Sequence, residues 1–154
     1  MFPDNTLKEQ IENFKNSEAN ISRELGKTTS LDFDKKSILL SNGTPKLITD
    51  IEAIEQWIIL FVTTPRDVYK IYEGTDFGTN WRHLLGRKRL NNSGYEESEL
   101  IRQITEGLPL NPAIESVQSV ELSKNGRYLD INIVVELYNG ELLETFIPQT
   151  YVFK

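Results

Sequence analysis

The sequence predicts an α+β fold: an N-terminal helix, then a compact domain with two further helices and a C-terminal three-stranded antiparallel β-meander. Three observations carry that prediction. Residues 128 to 138 alternate apolar and polar side chains between Asn-Gly turn signals. Residues 49 to 64 place apolar side chains at helical spacing and then meet a proline. Residues 6 to 25 carry a narrow apolar stripe between a capping pattern and a glycine. The expected organisation is an arm over residues 1–26 that bundles with a partner, and an α+β domain over 27–154.

Bulk properties narrow the class. A chain of 154 residues, 38% hydrophobic and 26% charged, suits one globular domain with an appendage. The net charge of −6 argues against a general nucleic-acid binder, which needs a basic surface. With no cysteine, disulfides and thiolate metal sites are excluded. The first ten residues lack the basic start and apolar centre of a signal peptide. The longest apolar run, Trp57 to Val62, is too short for a membrane span. These features predict a soluble protein made inside the cell, with no membrane partner and no cofactor.

In the N-terminal helix, Thr6 and Glu9 form a capping box, and Leu7, Ile11, Phe14, Ile21 and Leu25 recur at spacings of four and three. Glu18 fills the missing position of the seam. So narrow a stripe, on an otherwise polar helix, needs a surface to lie against. Packing on its own domain and docking to partner helices both stay open.

Residues 27 to 48 read as irregular β structure. Leu31 and Phe33 alternate with Asp32 and Asp34, which points those carboxylates to solvent. Asn42-Gly43 supplies a hairpin turn leading into Lys46-Leu47-Ile48. The next helix opens with Thr49 and Glu52 as a capping box, and Ile51, Ile54, Ile58, Phe61 and Val62 recur along it at helical spacing. Trp57, Ile59 and Leu60 widen its apolar surface, so it should be covered on more than one side. Thr64-Pro65 ends it, and Arg66 follows at that corner. An aromatic, extended stretch from Val68 to Tyr72 leads through Gly74 and Phe77-Gly78 into a short amphipathic segment. Asn91 to Gly94 reads as a loop. A helix from about Tyr95 to Glu106 turns Leu100, Ile101 and Ile104 inward and stops at Gly107.

Leu108-Pro109-Leu110-Asn111-Pro112 is a stiff link into the meander. Its strands run from Ile114 to Leu122, Tyr128 to Tyr138 and Leu142 to Phe153. Leu129, Ile131, Ile133, Val135 and Leu137 form the buried face. Pro148 demotes the last strand to an edge or bulges it.

Few residues suggest chemistry. His83 is the single histidine, so a multi-histidine metal site is excluded, and its place on a short helix fits a surface or packing role. No phosphate-binding glycine loop is present. Glu96, Glu97 and Glu99 crowd a helix start, where they favour its dipole. Asp67, Glu73 and Asp76 share the unusual stretch, yet nothing in the sequence makes them converge as a catalytic pair. The basic run Arg82, Arg87, Lys88 and Arg89 reads as a solvated loop first and an acidic-partner dock second.

From Ile51 onward, four motifs resemble, in order, those of the phage baseplate wedge family. This is the lysozyme-like group whose members act as sheath initiators in contractile tails, and the branch resembled is that of defective Bacillus prophages. The helix IEAIEQWIILFVTTPR ends on Thr64-Pro65-Arg66, where the family has a Glu-Pro-Arg motif. Phe77-Gly78 follows, then Leu84-Leu85-Gly86. The segment from Leu108, with Asn111-Pro112, resembles the family's Asn-Pro-x-Ile entry to the sheet, and the Asn139-Gly140 hairpin closes the series. The family glutamate is Thr64 here, so the resemblance requires another partner for Arg66, with Asp67 and Glu73 as candidates.

The resemblance implies a non-catalytic part of the baseplate wedge, placed in a virion tail baseplate or contractile injection particle assembled in the host cytoplasm. It implies a helical bundle with other wedge proteins through Leu7, Ile11, Phe14, Ile21 and Leu25. It also implies strand addition by the tail sheath subunit at the terminal sheet, near Tyr151 and Phe153. Arg66 is a further contact candidate, and tail tube or hub proteins are further partners. A cell-wall hydrolase and a non-viral adaptor domain are the alternative functions.

Overall fold

The computed structural model describes residues 26–66, 68–85 and 93–152. The seam Leu7, Ile11, Phe14, Ile21 and Leu25 lies outside the described residues. So do the Thr6–Glu9 capping pattern, Asp67, Gly86, Arg87, Lys88, Arg89 and Phe153.

The sheet is a meander of β7 (Ile114–Asn125), β8 (Tyr128–Leu137) and β9 (Leu142–Val152), in that spatial order and antiparallel throughout. Leu129, Ile131, Ile133, Val135 and Leu137 of β8 are buried, together with Leu143, Thr145 and Ile147 of β9. Two helices cover this face: α1 (Asp50–Thr63), which contacts β9, and α3 (Ser93–Gly107), which contacts β7. Ile54, Ile58, Phe61 and Val62 from α1 meet Leu100 and Ile104 from α3 in one core. The five-residue α2 (Trp81–Leu85) packs on α3. On the opposite face of the sheet, polar side chains bond across the strands: Asn132 Nδ2 donates to Glu144 Oε1 at 2.9 Å, and Gln118 Nε2 to Glu136 Oε2 at 2.8 Å. The α+β architecture and the three-stranded meander agree with the sequence. Among the described residues, no helix is long and apolar enough to cross a membrane.

Several local expectations change. β7 continues to Asn125 because pairing extends to a two-residue loop, Gly126-Arg127, in which Gly126 has the positive φ of 62°. Tyr138 leaves the ladder, and residues 138 to 141 form a longer connection in which Glu141 N donates to Asn139 Oδ1. Ile101 is only half buried, while the neighbouring Gln103 is buried. α3 starts at Ser93, so Ser93 and Gly94 are helical rather than loop. Residues 70 to 72 form a 3₁₀ turn where an extended piece was expected.

Thr49 caps α1 by position but makes no side-chain cap bond. The chain turns sharply at Asp50, φ 55°, and Asp50 N donates to Gly26 O at 3.1 Å. A long-range backbone bond therefore takes one of the helix's open donors, in place of the expected capping box.

Residues 27 to 49 form a three-way β junction that the sequence did not reveal. Three short antiparallel ribbons radiate from one point: β1 (Lys27–Thr29) with β6 (Leu47–Thr49), β2 (Leu31–Asp32) with β3 (Ser37–Ile38), and β4 (Leu40–Ser41) with β5 (Thr44–Pro45). Their hub is a closed ring of backbone bonds. Ser30 N donates to Lys46 O (2.7 Å), Lys46 N to Leu39 O (2.8 Å) and Leu39 N to Ser30 O (2.9 Å). The outermost hairpin turns on Asn42 and Gly43, both at positive φ (52° and 78°), as its sequence requires. Asp32 does not stand free on a strand: its Oδ1 accepts from the N–H groups of Asp34 and Lys35 and closes the next turn. Gln56 of α1 secures the junction, accepting from Leu31 N and donating to Thr29 O, each at 2.8 Å.

Candidate functional site

Two features stand out for function: a clasp at the end of α1, and the free edge of β9. The clasp is built by the resemblance motifs. Pro65 breaks the helix, leaving Thr64 extended (φ −78°, ψ 121°), and the strap 64–66 runs beside residues 78 and 79. Thr79 N donates to Thr64 O at 3.0 Å, and Arg66 N returns to Thr79 O at 2.9 Å. Three of the last four carbonyls of α1 find partners here: Leu60 O accepts from Thr64 N, Val62 O from Thr79 Oγ1, and Thr63 O from Trp81 Nε1. Gly78 is obligatory. It holds a φ of 95°, and a Cβ on it would lie 2.6 Å from Thr64 O. Phe77 stacks on Tyr72 at 4.5 Å and meets Phe61 edge-on at 5.4 Å, which anchors the strap on the core.

Arg66 reaches back across this clasp. Its Nε and Nη2 donate to Gly78 O at 3.3 and 3.1 Å, and Nη2 also to Asp76 O at 3.4 Å. Backbone carbonyls thus supply what was expected of an acidic side chain; Glu73 is exposed and makes no ion pair with Arg66, and Asp67 lies outside the described residues. Glu99 on α3 lies within electrostatic reach. Its carboxyl is held down at about 2, below the usual 4.5, first by hydrogen bonds from Arg102 and Gln103, with the charge of Arg66 acting in the same direction. Gln103 also accepts from Asn80 N at 2.8 Å, joining the clasp to α3.

The remaining motif residues are placed separately. Asn111 Oδ1 accepts from Ala113 N, so Asn111 and Pro112 shape the turn into β7. The backbone of Tyr151 pairs with Leu129. His83, Glu73 and Asp76 are exposed, and the latter two do not form a buried carboxyl pair. Among the described residues, no cluster of His, Cys, Asp and Glu could hold a metal ion.

β9 ends the sheet. Leu137 N donates to Glu141 O at 2.8 Å. In an antiparallel strand the N–H and C=O of one residue point to the same side, and successive residues alternate. Leu143, Thr145 and Ile147 therefore face β8, in accord with their pairing to Val135, Ile133 and Ile131. Leu142, Glu144 and Phe146 direct their backbone groups outward, where no strand pairs with them among the described residues. Pro148 falls in the outward set, so its missing N–H removes no bond to β8. Beyond it, residues 148 to 150 bulge opposite Asp130. The expected edge and the expected bulge both occur.

Residues 27–140 match the profile of the contractile injection system sheath initiators. The chain belongs to this family. It is also similar to the phage-like element PBSX protein XkdS of Bacillus subtilis (strain 168), at 30% identity over 119 residues, covering 77% of this chain and 79% of that one. Sheath initiators are structural rather than catalytic, so the clasp and the edge are read as architecture. The chain is a component of a contractile-tail baseplate and acts in sheath assembly there.

Proposed function

We propose that this sheath initiator joins the other wedge proteins through residues 1–26 and starts the sheath at β9, where an arm of the sheath subunit adds as a fourth strand. The observation that carries the second half is the regular outward ladder of Leu142, Glu144 and Phe146. Strand addition draws its affinity from main-chain bonds to such an edge, and its register from alternate side chains. The other edge is a poorer template. β7 departs from regular register twice, between Ile114 and Ser116 and between Val117 and Ser119, and bulges discourage further pairing. The wedge half rests on the apolar seam at Leu7, Ile11, Phe14, Ile21 and Leu25, whose spacing suits a helical bundle. In this reading Arg66 holds the clasp, and the clasp fixes α1 beneath β9.

The test is capture of the sheath subunit from the same gene cluster by the full chain and two variants. Glu144→Ala keeps the outward N–H and should capture. Glu144→Pro removes it, shares with Glu144→Ala the loss of the Asn132 side-chain bond and leaves every backbone bond to β8 in place, so the variant should fold, by circular dichroism, yet lose capture. Undiminished capture by folded Glu144→Pro would overturn the assignment of the edge.

A further inference from the structure

One side of the three-way junction carries apolar side chains, Ile38, Leu40 and Leu47, that the described fold leaves exposed, beside the half-buried Thr29 and Leu31. Directly paired residues share a face, and the two-residue alternation of extended chain, carried across the hub residues Ser30, Leu39 and Lys46, links the faces of successive ribbons. Applying both rules around the junction, from Thr29 to Leu47, Pro45, Leu40, Ile38 and Leu31, returns to Thr29 without contradiction. These six therefore lie on one side. Leu47 is 66% exposed, Leu40 64% and Ile38 48%. On the other side, Ile48 and Ser30 are buried. An exposed patch of this kind on a protein surface marks a contact.

We propose that this face seats the chain's own residues 7–25 before the wedge assembles. Three observations choose that occupant. The first is where the segment enters: it joins the described fold at Gly26, whose carbonyl accepts from Asp50 N, and Lys27 already pairs with Thr49 at the root of the β1–β6 ribbon. The second is chemistry, since the segment carries the large apolar residues Leu7, Ile11, Phe14, Ile21 and Leu25 that the face lacks as partners. The third is charge. The junction holds Lys27, Lys35, Lys36 and Lys46 against Asp32 and Asp34, a basic region in a chain of net charge −6. Residues 7–25 reverse this balance, with Glu9, Glu12, Glu18 and Glu24 against Lys8, Lys15 and Arg23. The seat shields the seam until wedge helices take it over. That exchange rests on the proposed function; the seat itself does not.

Trypsin reads the seat directly, because Lys8, Lys15 and Arg23 lie within the segment. In the full chain, Leu40→Asp with Leu47→Asp alters only exposed positions and should speed cleavage at these sites about tenfold, since proteolysis follows the undocked population. Cleavage at the wild-type rate overturns the proposal. Protection should be unchanged on dilution; protection that fades on dilution assigns the face to a second copy and overturns it too. A second measurement is independent of any loss of fold. The chain has no native cysteine, so Ile11→Cys with Leu40→Cys should oxidise to a closed monomer, while Ile11→Cys with Leu110→Cys should not. Equal closure of the two pairs, or none in either, overturns the seat. Neither assay contains a wedge or sheath protein, so a failure here leaves the sheath-capture result standing on its own.

Discussion

Gly107 and Phe61 lie so close that a methyl group on Gly107 would overlap the far end of the phenyl ring. Gly107 has ordinary helical angles (φ −87°, ψ −33°), so it is not the left-handed cap its position suggested. Its hydrogen is what lets α3 settle on α1, with Phe61 fully buried between them. Helix propensity alone would make Gly107→Ala stabilising by about 1 kcal/mol. Overpacking against a ring that cannot leave the core reverses the sign, and a loss of about 1–3 kcal/mol is expected in urea unfolding. A gain in stability would show that α3 can slide away from Phe61 at little cost.

The clasp yields a second prediction. Gly78→Ala must place a side chain at φ 95° and within 2.6 Å of a carbonyl oxygen, so it should lose about 2 kcal/mol or more. Arg66→Ala strips donors from the Gly78 and Asp76 carbonyls and should lose about 1–3 kcal/mol. Arg66→Lys should not restore it, because one ammonium cannot copy the planar fork that bonds through two nitrogens. Thermal melts of the four proteins decide this. A Lys variant as stable as the wild type would reduce Arg66 to a point charge.

The third prediction concerns pH. Glu99 accepts from Arg102 Nε at 2.9 Å, from Arg102 Nη2 at 2.6 Å and from Gln103 Nε2 at 3.0 Å, which holds its carboxyl at about 2. Its pKa is lower folded than unfolded. Its contribution is therefore full above the unfolded value of 4.5 and fades as pH falls from there toward 2. Glu99→Gln should be less stable than wild type at pH 7, and the two should converge as pH approaches 2. A difference that stays constant from pH 7 to pH 2 would assign the effect of the substitution to packing rather than to charge.

Much of this fold was legible because its signals are local. The alternation of β8 and the glycines at 126 and 140 set the meander, and Pro65 set the end of α1. What escaped the sequence depends on contacts between distant residues. The ring of Ser30, Leu39 and Lys46 joins three hairpins through backbone groups, which any side chain would permit, so no residue type announces it. Thr49 and Glu52 spell a capping box, but the turn at Asp50 and its bond to Gly26 displaced it. The site was legible by halves in the same way. Pro65, Arg66 and Gly78 each stand out in the sequence by residue type, yet their joint role, the strap closing on the end of α1, appears only once residues 64–66 and 76–79 lie side by side. Buried glutamines were the missed signal. Gln56 and Gln103 sit on the inner faces of helices, where a polar side chain has to be satisfied by some other element.

Gln56 makes the last prediction, because it bridges α1 to the junction through both ends of its amide. Its Oε1 accepts from Leu31 N and its Nε2 donates to Thr29 O, so it behaves as one extra residue of β structure beside β1. Gln56→Ala leaves that donor and that acceptor without their partner and removes packing at a buried position, which together should destabilise by about 2–3 kcal/mol. The loss should be uneven. Few core residues lie in the junction, whereas Ile58, Phe61, Leu100 and Ile104 hold the helices to the sheet independently of it. Hydrogen exchange should therefore quicken over residues 27–49 and hold steady over β8, as for a unit that opens by itself. Uniform acceleration across both regions would instead make the junction part of one cooperative core, with Gln56 a buttress of the whole domain.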